Sequence, residues 1–117
     1  MTTKTEGSHA GGFIVSEANG MRSREQITVR EGEVLEAGTV LATVAGKRVG
    51  YDNDASGAAA SGILFDSVDA TDGDVEAVAI VRDAEVNAAE LVWPDENDTT
   101  DINAGLVDLA ALGIILR

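Results

Sequence analysis

The chain has no cysteine, one proline, one histidine and four aromatic residues, and no long apolar run. Each shortage removes a class of protein. Without cysteine there are no disulfides and no thiolate metal sites. No apolar stretch approaches the roughly 18 residues that a membrane-crossing helix needs. The start, Met1 to Gly7, is polar and lacks the apolar centre of a signal peptide. Synthesis and folding in the cytosol are therefore expected. Cations are scarce as well, 8 against 21 acids, for a net charge of −13. Such a surface repels phosphate backbones and anionic lipid, so neither nucleic acid nor a membrane is expected as a partner. The acids either keep an abundant protein soluble or suit a salty medium that screens their repulsion.

What is present is small. Hydrophobic residues make up 44% of the 117, but Ala supplies 18 of them and Gly adds 13 further positions without a side chain. Burying an Ala contributes far less than the roughly 1.5–3 kcal/mol of a large aliphatic side chain. One domain with a thin core results, and such domains often gain stability by oligomerising.

Along the chain, turn signals and short apolar runs alternate. Met1 to Gly12 is polar and small, a composition that does not order itself. Phe13-Ile14-Val15 follows and is cut off by Ala18-Asn19-Gly20, a turn. This triplet is either the first strand of the chain's own sheet or a segment that pairs with another chain. Gln26 to Arg30 alternates as a half-buried strand. Val34-Leu35 and Val40-Leu41 flank Glu36-Ala37-Gly38 as two short β segments about a Gly turn, and Ala45-Gly46-Lys47-Arg48 turns a second hairpin. Asp52 to Ser61 is a small-residue loop. Gly62 to Val68 and Val75 to Val81 are the clearest strands, joined by Asp69 to Asp74, where Asp72-Gly73 suits a tight hairpin, and the second is apolar on both faces except at Glu76, as in a central strand. Asp83 to Leu91 suggests a short helix, ended by Trp93-Pro94. Asp98 to Asp101 offers N-caps for a helix with Ile102, Leu106, Leu109 and Ala110 on one face, stopped by Gly113 before a last strand, Ile114 to Leu116. The fold class is mainly β: one compact domain of short strands and hairpins, with one or two short helices.

Reactive chemistry is not legible. His9, the single histidine, lies in the polar leader, where nothing holds a catalytic geometry. No site residue is assigned as catalytic, and no cofactor or metal is expected. Asp52-Asn53-Asp54-Ala55-Ser56-Gly57 matches the first half of a calcium loop, but Ile63 stands where the bidentate Glu is required. Gly32 to Val44 looks like the strand–turn–strand of biotinyl and lipoyl carrier domains, with Lys47 as acceptor. The residues around Lys47 do not match those carriers, and their repeated half is missing. A small β adaptor or scaffold module is a further alternative.

Several segments, in order, carry a broader likeness. They are Ser16-Glu17-Ala18-Asn19-Gly20, Arg22-Ser23-Arg24-Glu25, Ala37 to Leu41, Gly62-Ile63-Leu64, Ala84 to Ala89, Leu91-Val92-Trp93-Pro94 and Leu109 to Arg117. Together they resemble the head decoration proteins of lambda-type tailed phages. The chain departs from that pattern in its acidity and its longer acidic tip, Asp69 to Asp74. The resemblance implies a β-clip-like domain, residues 25–117, behind a flexible capsid-binding arm, residues 1–24. It implies a structural, non-enzymatic virion protein, made in the host cytoplasm. As a homotrimer it would bind the outside of an expanded head at local three-fold positions and hold it against internal DNA pressure. The partner would be the major capsid protein. Phe13, Ile14, Val15, Ser16 and Glu17 would add a strand to the shell, and Arg22 and Arg24 would meet its carboxylates. Trp93 is assigned to the core, with a trimer contact by Trp93 and Pro94 as its other use.

Overall fold

Val44-Ala45-Gly46-Lys47 is a two-residue turn, and it sets the central hairpin. Ala45 and Gly46 both take positive φ, 53° and 81°, the backbone of a two-residue turn whose twist matches that of paired strands. In the computed structural model, which describes residues 11–17, 22–51, 59–94 and 99–117, this turn joins β4 (Val40–Val44) to β5 (Lys47–Gly50). Around the hairpin, β2 (Arg24–Val29), β6 (Ala60–Leu64) and β8 (Val75–Ile80) close a five-stranded barrel in the order β2-β5-β4-β6-β8. β8 pairs with all six residues of β2 on one side and with β6 on the other, as a central strand does. A two-stranded ribbon, β3 (Val34–Leu35) with β7 (Val68–Asp69), flanks the barrel. The remaining sheet has the order β1-β9-β10: β1 (Ile14–Glu17) runs antiparallel and β10 (Ile114–Leu116) parallel to the central β9 (Ala84–Val86).

Alternate residues of the barrel strands feed two cores. Ile27, Val29, Leu41, Leu64 and Ala79 pack with Leu35, Val68 and Ala70 beside the ribbon. Their neighbours Val40, Ala42, Val49, Ile63 and Ile80 face the other way, onto Phe13, Val86, Leu109 and Ile114. The second core thus joins the barrel to the three-stranded sheet and to helix α1 (Thr99–Ala111). Tyr51 docks the helix: its hydroxyl donates to the Asp101 carbonyl at 2.8 Å, and its ring meets Trp93 edge-on, centroids 5.8 Å apart. Gly105 lets the helix come this close, since a Cβ there would lie 2.7 Å from the Trp93 ring. Among the described residues no helix is long and apolar enough to cross a membrane.

Among the described residues the molecule is mainly β and compact, with a single α-helix, as its pattern indicates. Four details differ from the sequence expectation. Asp83 to Leu91 is not a helix; Ala84 and Val86 are buried with Glu85 between them turned outward, a period of two that makes β9 the middle of a sheet. Only Ala88–Glu90 turns, as one 3₁₀ turn capped by Asn87. Val34-Leu35 does not pair with Val40-Leu41, because Gly38 donates its N–H to the Leu64 carbonyl and β3 is left to β7. Asp72-Gly73 is not a tight hairpin: β6 and β8 meet at Ile63↔Ile80 and Leu64↔Ala79, and the chain between them detours through β7. Finally, α1 buries Asp101, Gly105 and Leu109, leaving Ala110 exposed and Leu106 half-exposed, because the small face at Gly105 is the one that fits over Trp93 and Tyr51.

Candidate functional site

The segment expected to reach a partner begins inside the domain. Gly11, at φ 65°, donates its N–H to the Phe65 carbonyl at 2.8 Å, so close to the Phe65 ring that a Cβ would sit 2.8 Å from it. Only glycine takes both that φ and that approach without strain. Phe13 is 2% exposed and belongs to the larger core. Asn87 donates its N–H to the Phe13 carbonyl at 2.8 Å, and from Ile14 the chain runs on as β1 along β9, with a bulge before Ser16. Val15 remains 55% exposed, and Ser16 is exposed as well. Residues 13–17 and 22–24 are built into the domain, since Phe13 is large enough to fill the gap between the sheet and the barrel. What remains of the arm, residues 1–10 with His9, lies outside the described residues, as do Asp52 to Gly57.

A polar clamp holds the far end of β1. Arg24 grips Glu17 with both sides of its guanidinium, Nη2 to Oε1 at 2.7 Å and Nε to Oε2 at 3.1 Å. Ser23 Oγ also donates to Glu17 Oε2. The guanidinium lies 4.3 Å above the Phe65 ring centroid, a cation–π contact. Phe65 thus braces both Gly11 and Arg24. Hydrogen bonds from Arg24 and then Ser23 pull the Glu17 pKa below the usual carboxylate value, while Glu17 raises that of Arg24. Arg22 Nε lies 3.1 Å from Asp83 Oδ2. Both arginines expected to meet outside carboxylates have carboxylate partners within the chain. Neither Ser23 nor Phe65 stood out in the sequence, because their roles depend on neighbours more than 40 residues apart or on the opposite side of a turn.

β1 and β10 are the two edges of their sheet, and among the described residues no strand pairs with their outer sides. Beside β10 runs a shallow apolar groove of about 410 Å3, lined by Ala88, Leu106, Ala110, Ile114, Ile115 and Leu116. Trp93 is half-buried between Tyr51 and Gly105, a helix-docking position, and Pro94 lies against Gly50. Lys47 opens β5 and is ion-paired with Asp74, Nζ to Oδ2 at 2.6 Å, and Ile63 is core. This arrangement offers backbone edges and apolar side chains, which are means of binding a protein surface.

A family model described as bacteriophage lambda head decoration protein D matches residues 3–114, nearly the whole chain. The chain belongs to this family. Among curated proteins, none matches it. Membership makes it a component of a phage head with a decoration role on the capsid. Family members are structural capsid proteins, in keeping with a site that is all edge and apolar surface.

Proposed function

We propose that this decoration protein works as a homotrimer on the outer surface of an expanded phage head, at local three-fold positions, where it binds the major capsid protein and cements the shell against internal DNA pressure. It acts without catalysis. The observation that carries this reading is the family match over residues 3–114. The edge of β1 supports it: among the described residues no strand pairs with its outer side, where a capsid strand would add, and Val15 and Ser16 stand beside that edge. In this reading the leader, residues 1–10, continues the strand onto the shell, and Phe13 fixes its root. Arg22 and Arg24 support the contact indirectly, by holding Glu17 and Asp83 near β1. One short augmented strand binds weakly, because ordering the leader opposes binding. Three leaders on one trimer act together and raise avidity by ~10²–10⁴. Synthesis in the host cytoplasm and docking after expansion follow from that role.

Electron microscopy of heads with and without the protein tests the proposal, with added density expected outside the shell at three-fold positions. Removing Thr2 to Ala10, which spares the buried Phe13, should leave a folded protein that no longer coats heads. Undiminished coating by the truncated form would falsify the leader's part.

A further inference from the structure

Among the described residues every lysine and arginine but one is ion-paired within the chain, and Arg48 is the exception, on a molecule with 21 acids. Arg48 lies on β5 and is half-buried. Its register partners are Val29 of β2 and Thr43 of β4, so the three side chains share one face of the barrel wall. Val29 is core and Thr43 is exposed, a position where a long cation buries its stem and keeps its head in water. Nε of Arg48 is buried and has no hydrogen-bond partner among the described residues. Nη1 and Nη2 bond nothing there either, but they are not shut off from solvent. The groups around this fork are committed elsewhere. Thr43 Oγ1 donates to Ser61 Oγ at 3.0 Å. Asp74 is held by Lys47 and the Glu31 N–H, and Glu33 by Arg30 and the Gly50 N–H.

We propose that Arg48 is the binding position for a carboxylate supplied from outside the chain. Burial at Nε holds the guanidinium at its root, so the two Nη groups stand as a fork with little freedom left to lose. A carboxylate matches that fork with two parallel N–H···O bonds. Charge selects the ligand. A carboxylate carries one negative charge and is repelled less by a molecule of net charge −13 than a phosphate group with roughly twice that charge. The position is distinct from the edge of β1. Arg48 sits beside Val29, the last residue of β2, whereas the clamp on Glu17 uses Arg24, the first. The two lie ~17 Å apart along that strand. Two carriers present the same chemistry, a free carboxylic acid or an Asp or Glu side chain displayed by the shell. The inference does not depend on the proposed function.

The buried Nε–H gives Arg48 its own signal in nitrogen–proton NMR spectra of the full chain, and replacing sodium chloride by sodium acetate at constant ionic strength reads the site. The Arg48 Nε–H and the Thr43 amide should shift saturably with acetate. R48M keeps an apolar stem without the fork, so its melting temperature should match the wild type while the acetate shift at Thr43 is lost. R48K keeps the charge alone and should bind acetate at least ~3-fold more weakly. Co-sedimentation with undecorated heads separates the two carriers. Reduced coating by folded R48M assigns the carboxylate to the shell, and undiminished coating together with acetate binding assigns it to a free acid. Acetate that moves neither signal, together with undiminished coating by R48M, overturns the inference. So does an R48M chain that melts well below the wild type, which would make the guanidinium part of the fold's own support. Wild-type protein that binds acetate yet leaves no density on heads keeps the carboxylate site and removes the decoration site at the three-fold positions.

Discussion

The barrel and the three-stranded sheet spend their backbone hydrogen bonds differently. In the barrel, β2 and β8 are paired along six residues and the ring β2-β5-β4-β6-β8 closes, so no strand is left as an edge. In the sheet, among the described residues, only β9 is paired on both sides, and β1 and β10 each keep an open side next to an exposed apolar residue, Val15 or Ile115. Open edges invite pairing with other chains, and monomeric proteins usually blunt them with charge or proline. Here charge is held back: Glu17 at the end of β1 is neutralised by Arg24, and β10 carries none before Arg117. Among the described residues, one region pairs all of its strands within the chain and the other keeps two open edges.

The largest test of that contrast is Leu41→Ala. Leu41 is fully buried among Ile27, Val29 and Leu64, so truncation should cost about 2–5 kcal/mol, read by urea unfolding. A loss under about 1 kcal/mol would mean that the barrel does not carry the stability assigned to it. Gly62→Ala comes next. Its Cβ would lie 2.9 Å from the Ile80 carbonyl oxygen across the β6–β8 pairing, backbone that cannot swing aside. About 1–3 kcal/mol should be lost, with a matching drop in melting temperature.

Glu17→Gln probes the clamp on β1 and should cost about 1 kcal/mol or less at neutral pH, because the pair is partly solvated. The folded-state pKa of Glu17 is depressed, so its contribution is present above the ordinary carboxylate value and is lost as pH falls through the lower folded value. The gap between variant and wild type should therefore close in acid, and a gap that widens there contradicts the clamp. The smallest stability effect is expected for Val15→Ser, within about 0.5 kcal/mol, since its side chain is exposed on an edge. Its consequence should appear in head binding instead, measured by co-sedimentation with undecorated heads. A variant that melts well below the wild type would show that β1 is part of the stable unit rather than its open margin.

Much of the barrel was legible because its signals are local. Ala45-Gly46 turns β4 into β5, the alternation of Gln26 to Arg30 and the doubly apolar Val75 to Val81 mark two strands, and Gly113, at φ 84°, ends α1 before β10. The site was less legible. Ala84 to Ala89 has the composition of a helix and is in part a central strand, because β1 and β10 pair with it from about 70 residues before and 30 residues after. Whether Phe13 served the chain's own sheet or another chain stayed open in the sequence, since nothing nearby in it shows that Val86, Leu109 and Ile114 surround Phe13. Arg24 looked like an unpaired cation until Glu17 and Phe65 were brought to it.

Composition, net charge, the turns, the ending of the helix and the family resemblance were all contained in the order of residues. Such features depend on a few neighbours at a time, or on the chain as text. Closure of the barrel, the choice of β7 as partner for β3, the burial of Phe13 and the two strands left with an open side were decided in three dimensions. Strand pairing joins groups far apart in the chain, and which edges stay unpaired depends on how every other strand has been used.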